Sequence, residues 1–196
     1  LFTGGCLGAT LLIPPASTVL ACGPSGAVSV VDLAGLPAGA VAGYRGEQLV
    51  NAAHIVNAAV ALGLDSRAQA VGVMTAMGES GLRVLDRGEA VGPDSRGLFQ
   101  QRANGAWGSY SDRMDPTISA TNFFRALTRV PGWQSLEPTI AAHRVQANAD
   151  PYYYARFWAP AVQVVQALPA ASSHDPSPAP SVVPAVAASP ATAPAA

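Results

Sequence analysis

Lysine is absent from this 196-residue chain, whose 11 basic residues are all arginine. Charge of either sign is scarce. Asp, Glu, Lys and Arg together make up 12% of residues, about half the usual share, and the formal net charge is -1. A nucleic-acid binder or a polybasic membrane-surface protein needs a dense positive field, so both readings of the whole chain are excluded. Two cysteines and three histidines lie too far apart for a structural zinc site. No run of 20 apolar residues is present, so no complete membrane span is visible. There is no cysteine paired with a histidine, no serine in a sharp elbow turn, and no glycine-rich loop ending in Lys-Ser or Lys-Thr. What remains is a chain that is 49% hydrophobic and long enough for one domain.

Composition divides it in three. Residues 1–42 are rich in Gly, Ala and Val, with Asp32 their only charge. Residues 43–168 hold every Arg, Trp and Tyr. Residues 169–196 are Ala, Pro and Ser with a little Val. The last part lacks the apolar bulk to offset chain entropy and reads as a disordered or polyproline-like tail. The apolar run from Leu1 to Ile13, stopped by Pro14-Pro15, suits the end of an export signal or a clipped anchor. Val19-Leu20-Ala21-Cys22 loosely resembles a bacterial lipobox with Cys22 as the lipidated residue. Cys6 and Cys22 are also able to pair outside the cytosol. The expectation is an exported protein of the cell envelope or extracellular space, with an N-terminal membrane anchor as one reading.

The middle part reads as helices. Leu49, Ala52, Ala53, Val56, Ala59 and Val60 share one face of a helix over 44–62, closed by Gly63. Ser66 and Gln69 form a capping-box pattern at the start of a second helix. Ala70, Val71, Val73, Met74 and Met77 make that helix apolar almost all round, which predicts a central, buried element. It ends in Gly78-Glu79-Ser80-Gly81. From Leu82 to Ser111 the helical period is lost, and glycines punctuate an irregular loop with room for a short hairpin. Asp115-Pro116 and Asp150-Pro151 each pair a cap residue with proline at the first helical position. They predict one helix carrying Ile118, Phe123, Phe124 and Leu127, and another over 151–168 kinked at Pro160. A shorter helix is expected over 138–146. The fold class is mainly α.

Glu79 stands out as a carboxylate at the exit of the most apolar helix. The negative end of the helix dipole and partial burial both disfavour its ionisation. A Glu lifted from about 4.3 towards 6 holds a proton near neutral pH and can deliver it to a leaving oxygen, as glycosidic cleavage requires. Trp107, Tyr110 and Trp133 are able to stack on sugars, though core positions suit them better. The carboxylates of the following loop, Asp86, Glu89 and Asp94, sit in a Gly- and Pro-interrupted segment without obvious rigid support and read as solvated.

Four strings stand in order: Ala76-Met77-Gly78-Glu79-Ser80, Gly97-Leu98-Phe99-Gln100-Gln101-Arg102, Trp107-Gly108, and Val130-Pro131-Gly132-Trp133-Gln134. Together they resemble the lysozyme-like superfamily of soluble lytic transglycosylases and goose-type lysozymes. They are most similar to the transglycosylase-like domain of actinobacterial envelope and conjugation proteins, over about residues 44–168. The resemblance implies an α+β lysozyme-like fold acting on peptidoglycan glycan strands without metal or organic cofactor, as a monomer. It implies Glu79 as catalytic acid and then base. It implies Ser80, beside Glu79, and Gly97 and Gln100, opposite it, as substrate-binding residues that shape the saccharide groove. It also implies Gln101 and Arg102 along the same strand, with Arg102 poised for a substrate carboxylate, and Gln146 and Tyr154 on the far wall. The substrate acetamido group would assist, so no second carboxylate is needed and a 1,6-anhydro product follows. Two departures are evident: Gly78 replaces a polar residue before the acid, and Asp94 is one step out of register. The rival expectation is a non-catalytic glycan-binding or scaffold module.

Overall fold

The computed structural model describes residues 30–90 and 92–169. The export segment, the lipobox-like run, the Cys6–Cys22 pair and all of the tail after Pro169 lie outside the described residues. The architecture is mainly helical. Six α-helices follow in order: α1 Glu47–Ala61, α2 Ser66–Ser80, α3 Tyr110–Met114, α4 Pro116–Thr128, α5 Pro138–Gln146 and α6 Trp158–Ala167. Extended pairing among the described residues is confined to two isolated antiparallel bridges, Val41 with Tyr44 and Arg96 with Gln101.

Helix α2 is the central element, as its all-round apolar pattern predicts. Every residue from Ala68 to Met77 is buried, and α1, α4, α5 and α6 pack around it. Close approach needs a gap at Gly72. A Cβ there would sit 2.5 Å from the Phe124 ring of α4 and 2.9 Å from Ile55 of α1. Phe123, Phe124 and Leu127 are buried as expected, and Phe99 stacks on Phe123 with ring centroids 4.7 Å apart. Ile118, expected inward, is instead 42% exposed in the first turn of α4. Trp133 is core.

Several ends differ from the pattern-based expectation. Helix α1 starts at Glu47 because Val41 and Tyr44 close a tight turn by mutual backbone bonds of 2.8 and 2.9 Å, and Gly46 follows with positive φ. At α2 the cap is Asp65, whose carboxylate accepts from Ala68 N–H at 2.9 Å; Ser66 is already helical. A charged cap one residue earlier answers the helix dipole better than a hydroxyl. Helix α3 arises from a Ser109/Asp112 capping box inside the segment expected to be loop. Asp115 caps α4 by accepting from Thr117 and Ile118 N–H. Asp150 caps only a turn. Residues 151–157 pass through turn and 3-10 geometry before α6 begins at Trp158. Pro160 is therefore the third residue of a helix, where an N–H has no intrahelical acceptor, and it causes no break.

The described chain closes on itself. Asp32 N–H donates to the Pro169 carbonyl at 3.2 Å, and the Pro169 ring packs against Gly35. Asn57 of α1 bonds both backbone groups of Val31, at 2.6 and 3.2 Å. Among the described residues no helix is long and apolar enough to cross a membrane.

Candidate active site

The last turn of α2 is held from three sides. Gly81 adopts the left-handed conformation at φ +64, and the Gly81 and Leu82 N–H groups return to the Met77 and Ala76 carbonyls, a Schellman-type stop. From α1, Gln48 and Asn51 donate to the Gly81 and Leu82 carbonyls at 2.8 and 2.9 Å. The Ser80 hydroxyl lies 2.8 Å from the Leu98 carbonyl and 3.1 Å from that of Ala76, and accepts from Arg83 N–H. Ser80 thus fastens the helix exit to the following turn and does not line the cleft beside Glu79.

That turn is built by Gly97-Leu98-Phe99-Gln100 between the paired residues Arg96 and Gln101. Leu98 and Phe99 are fully buried, whereas Gln100 lies at the surface of a cleft. Gly97 is required by space as well as by φ +75: a Cβ would sit 1.8 Å from the Arg113 carbonyl. Gln101 points inward, 2% exposed, and donates to the Ser119 carbonyl of α4. Arg102 faces solvent in an ion pair with Asp94. The structure therefore brings Glu79 and Gln100 to the cleft and gives Ser80, Gly97, Gln101 and Arg102 architectural contacts.

The cleft, about 500 Å³, has Gly78 and Glu79 at the end of α2 on one side. The loop residues Leu85, Arg87, Gly88, Glu89, Gly92 and Ser95 form another wall, and Asn148 to Asp150 with Tyr153 complete it. Tyr154, fully buried, donates its hydroxyl to the Glu79 carboxyl. Gln146 donates to the Phe99 carbonyl at 2.8 Å and also faces both the Glu79 carboxyl and Tyr154. Burial drives the Glu79 carboxyl above its ordinary range; the bonds from Tyr154 and Gln146 oppose this, and the charge of Glu89 adds to it. Tyr154 is pushed far above the usual phenol range by burial and by the neighbouring carboxyl, so its hydroxyl stays protonated and acts as a donor.

Gly78 has a positive role. A Cβ at this position would lie 2.7 Å from the Tyr154 ring and 3.1 Å from that of Tyr153. The two rings meet edge to face at 5.1 Å around the missing side chain. Tyr153 donates to the Gly78 carbonyl at 2.9 Å, answering one of the open carbonyls of the helix end. Arg156 covers the Tyr153 ring at 4.7 Å. Sequence reasoning identified Tyr154 but not Tyr153. The signal available was the run of three tyrosines, Tyr152 to Tyr154, together with the glycine before Glu79.

Asp94 accepts from Ala103 N–H as well as from Arg102, which holds its carboxyl below the usual range. Arg113 is buried without a carboxylate partner among the described residues and donates to the Asp94, Gln101 and Ser109 carbonyls, tying the loop to α3. Among the described residues no group of three or more His, Cys, Asp and Glu side chains is placed to hold a metal ion. No protein-family model matches the chain, and no curated protein matches it.

Proposed function

We propose that this domain is a peptidoglycan-cleaving glycosidase of the lysozyme-like class, acting on the β-1,4 bond between N-acetylmuramic acid and N-acetylglucosamine. The observation that carries the reading is Glu79: a carboxyl at the end of a buried helix, protonation favoured by burial, opening onto a cleft large enough for sugar units. The motif resemblance supports the same assignment, and a mainly helical domain is compatible with it.

In this reading Glu79 protonates the glycosidic oxygen as the bond to the anomeric carbon breaks. Charge then appears on the Glu79 carboxylate. Tyr154, unable to ionise, and Gln146 stabilise it by donation, so the same contacts that oppose protonation of the acid favour its discharge. Glu79 next acts as base, either toward the muramyl 6-hydroxyl, as a lytic transglycosylase, or toward water, as a lysozyme. A purely glycan-binding groove gains nothing from a desolvated acid, which weighs against a scaffold role.

The test is digestion of purified peptidoglycan by the wild type and by Glu79→Gln. The wild type is expected to release muropeptides. The variant is expected to lose at least about 10²-fold in rate while still cosedimenting with the glycan. A variant retaining half the wild-type rate overturns Glu79 as the acid. Binding without any cleavage by the wild type turns the reading to the scaffold role.

A further inference from the structure

The two side chains that donate to the Glu79 carboxyl come from either end of one short connection. Gln146 is the last residue of α5, and Tyr154 follows the turn after it. The segment 147–153 between them is an arch, irregular in its backbone yet bonded along its length. Ala147 reverses the chain in the left-handed region at φ +53, where an alanine stays only when its surroundings hold it. Its N–H returns to the His143 carbonyl at 2.7 Å. The Asp150 carbonyl accepts twice, from Asn148 Nδ2 at 2.8 Å and from Tyr153 N–H at 3.2 Å. The Asp150 carboxylate accepts from Tyr152 N–H, and Thr139 of α5 donates to the Pro151 carbonyl at 2.8 Å. Asn148 lines the cleft, and its Oδ1 lies 3.0 Å from Nδ1 of His143, a partly buried residue in the last turn of α5.

The Asn148 amide decides the state of that ring. Its oxygen cannot face the Asp150 carbonyl, because two acceptors at 2.8 Å repel. Its NH₂ group therefore faces Asp150 and its oxygen faces the imidazole. Oδ1 has no proton to give, so Nδ1 must carry one. We propose that His143 is a positioning residue for the acid: as the Nδ1–H tautomer it donates to Asn148, and through Asn148 and the Asp150 carbonyl it fixes the arch that holds Gln146 and Tyr154 on Glu79. This rests on the reading of Glu79 as the acid. The imidazolium form carries the same Nδ1–H, so the contact survives protonation of the ring. Without it, no hydrogen bond among the described residues holds Asn148 Oδ1, and the strained turn at Ala147 loses its brace. The arch then relaxes and both donors move off the carboxyl. Glu79 keeps its proton to higher pH and discharges it less readily, since the ionised form has lost its partners.

The experiment has two parts. In the wild type, ¹⁵N NMR of the neutral His143 ring should show the proton on Nδ1; this needs neither turnover nor a variant. The second part compares His143→Asn, whose amide nitrogen stands where Nδ1 stood, with His143→Gln, whose amide lies one bond further out. Both are uncharged. Helix propensity favours Gln, so a merely structural role would make His143→Gln the better variant. The expected order is the reverse. His143→Asn should keep the wild-type titration of the Glu79 carboxyl, followed by ¹³C NMR, and a kcat on soluble glycan strands within about twofold of wild type. His143→Gln should raise that titration by about one pH unit and lower kcat about tenfold. A proton on Nε2, a Glu79 titration equal in His143→Gln and wild type, or a His143→Gln kcat at or above that of His143→Asn overturns the role of His143 and leaves Glu79 standing. No cleavage by the wild type overturns the glycosidase reading and the positioning role with it.

Discussion

Burial and hydrogen bonding pull the Glu79 carboxyl in opposite directions, and burial wins. Two outcomes follow from that balance. Tyr154→Phe removes the donor that favours the ionised form while leaving the ring in place. The Glu79 proton should then be held to higher pH, and the alkaline limb of the kcat/KM profile should move upward, with a lower plateau because the discharged carboxylate loses its partner. A profile that keeps its limb while only the plateau falls would mean that Tyr154 does not set the acid. The second outcome concerns stability. A carboxyl whose folded-state affinity for its proton is raised stabilises the fold fully below the unfolded value near 4.5, and that contribution is lost as pH climbs through the higher folded value. Glu79→Gln carries no charge at any pH. Its stability relative to wild type should therefore rise as pH climbs from about 4.5 to the higher folded value, by about 1.4 kcal/mol for each tenfold rise in proton affinity, read as a pH-dependent gain in Tm. A difference that is flat with pH would show the carboxyl to be unperturbed. Glu79 was legible from sequence because an acid at the end of an all-apolar helix has few structural explanations.

At the scale of elements, the glycines that matter are those where two segments touch. Gly78→Ala gains roughly 1 kcal/mol of helix propensity, yet its Cβ must displace the Tyr153 and Tyr154 rings. The net expectation is a loss of about 1–3 kcal/mol together with a fall in activity, read by thermal melting and muropeptide release. Gly97→Ala should cost more, above about 2 kcal/mol, since its neighbour is the Arg113 carbonyl and φ is +75. Equal melting temperatures for both variants and wild type would refute these contacts. Gly78 looked from sequence like a loosened helix end; its purpose appears only when the tyrosines 75 residues later arrive beside it. The same dependence explains the segment after Asp150. Local signals there favour a helix from Pro151, but Tyr153 and Tyr154 must both turn onto α2, and turn geometry with a 3-10 step achieves this where one regular helix would not. Helices α1, α2, α4 and α5 were readable because period, caps and packing agree. Helix α3, five residues long between Gly108 and Pro116, had only its capping box to announce it.

Across the whole molecule, the cleft is assembled from the end of α2, the loop after it, Gln100 and the 148–153 segment, so no fragment of the domain contains it. The boundary is sharper at the C-terminal side than composition implied. Leu168 is buried at 8% exposure and Pro169 accepts the Asp32 bond. Ending the chain after Pro169 should leave Tm within a few degrees, whereas ending it after Gln166 should lower it clearly through loss of the Leu168 contacts and the closing bond. A large drop in the first case would show that residues beyond Pro169 bear on the domain. The meeting of Asp32 and Pro169 also has a mechanical side. Asp32 and Pro169 meet near the two ends of the described chain, so a pull applied at residues 30 and 169 enters and exits at nearly one point. Tension must part the Asp32–Pro169 and Val31–Asn57 bonds before it can reach the walls of the cleft. The cleft is shielded from a load applied at residues 30 and 169 until that clasp opens.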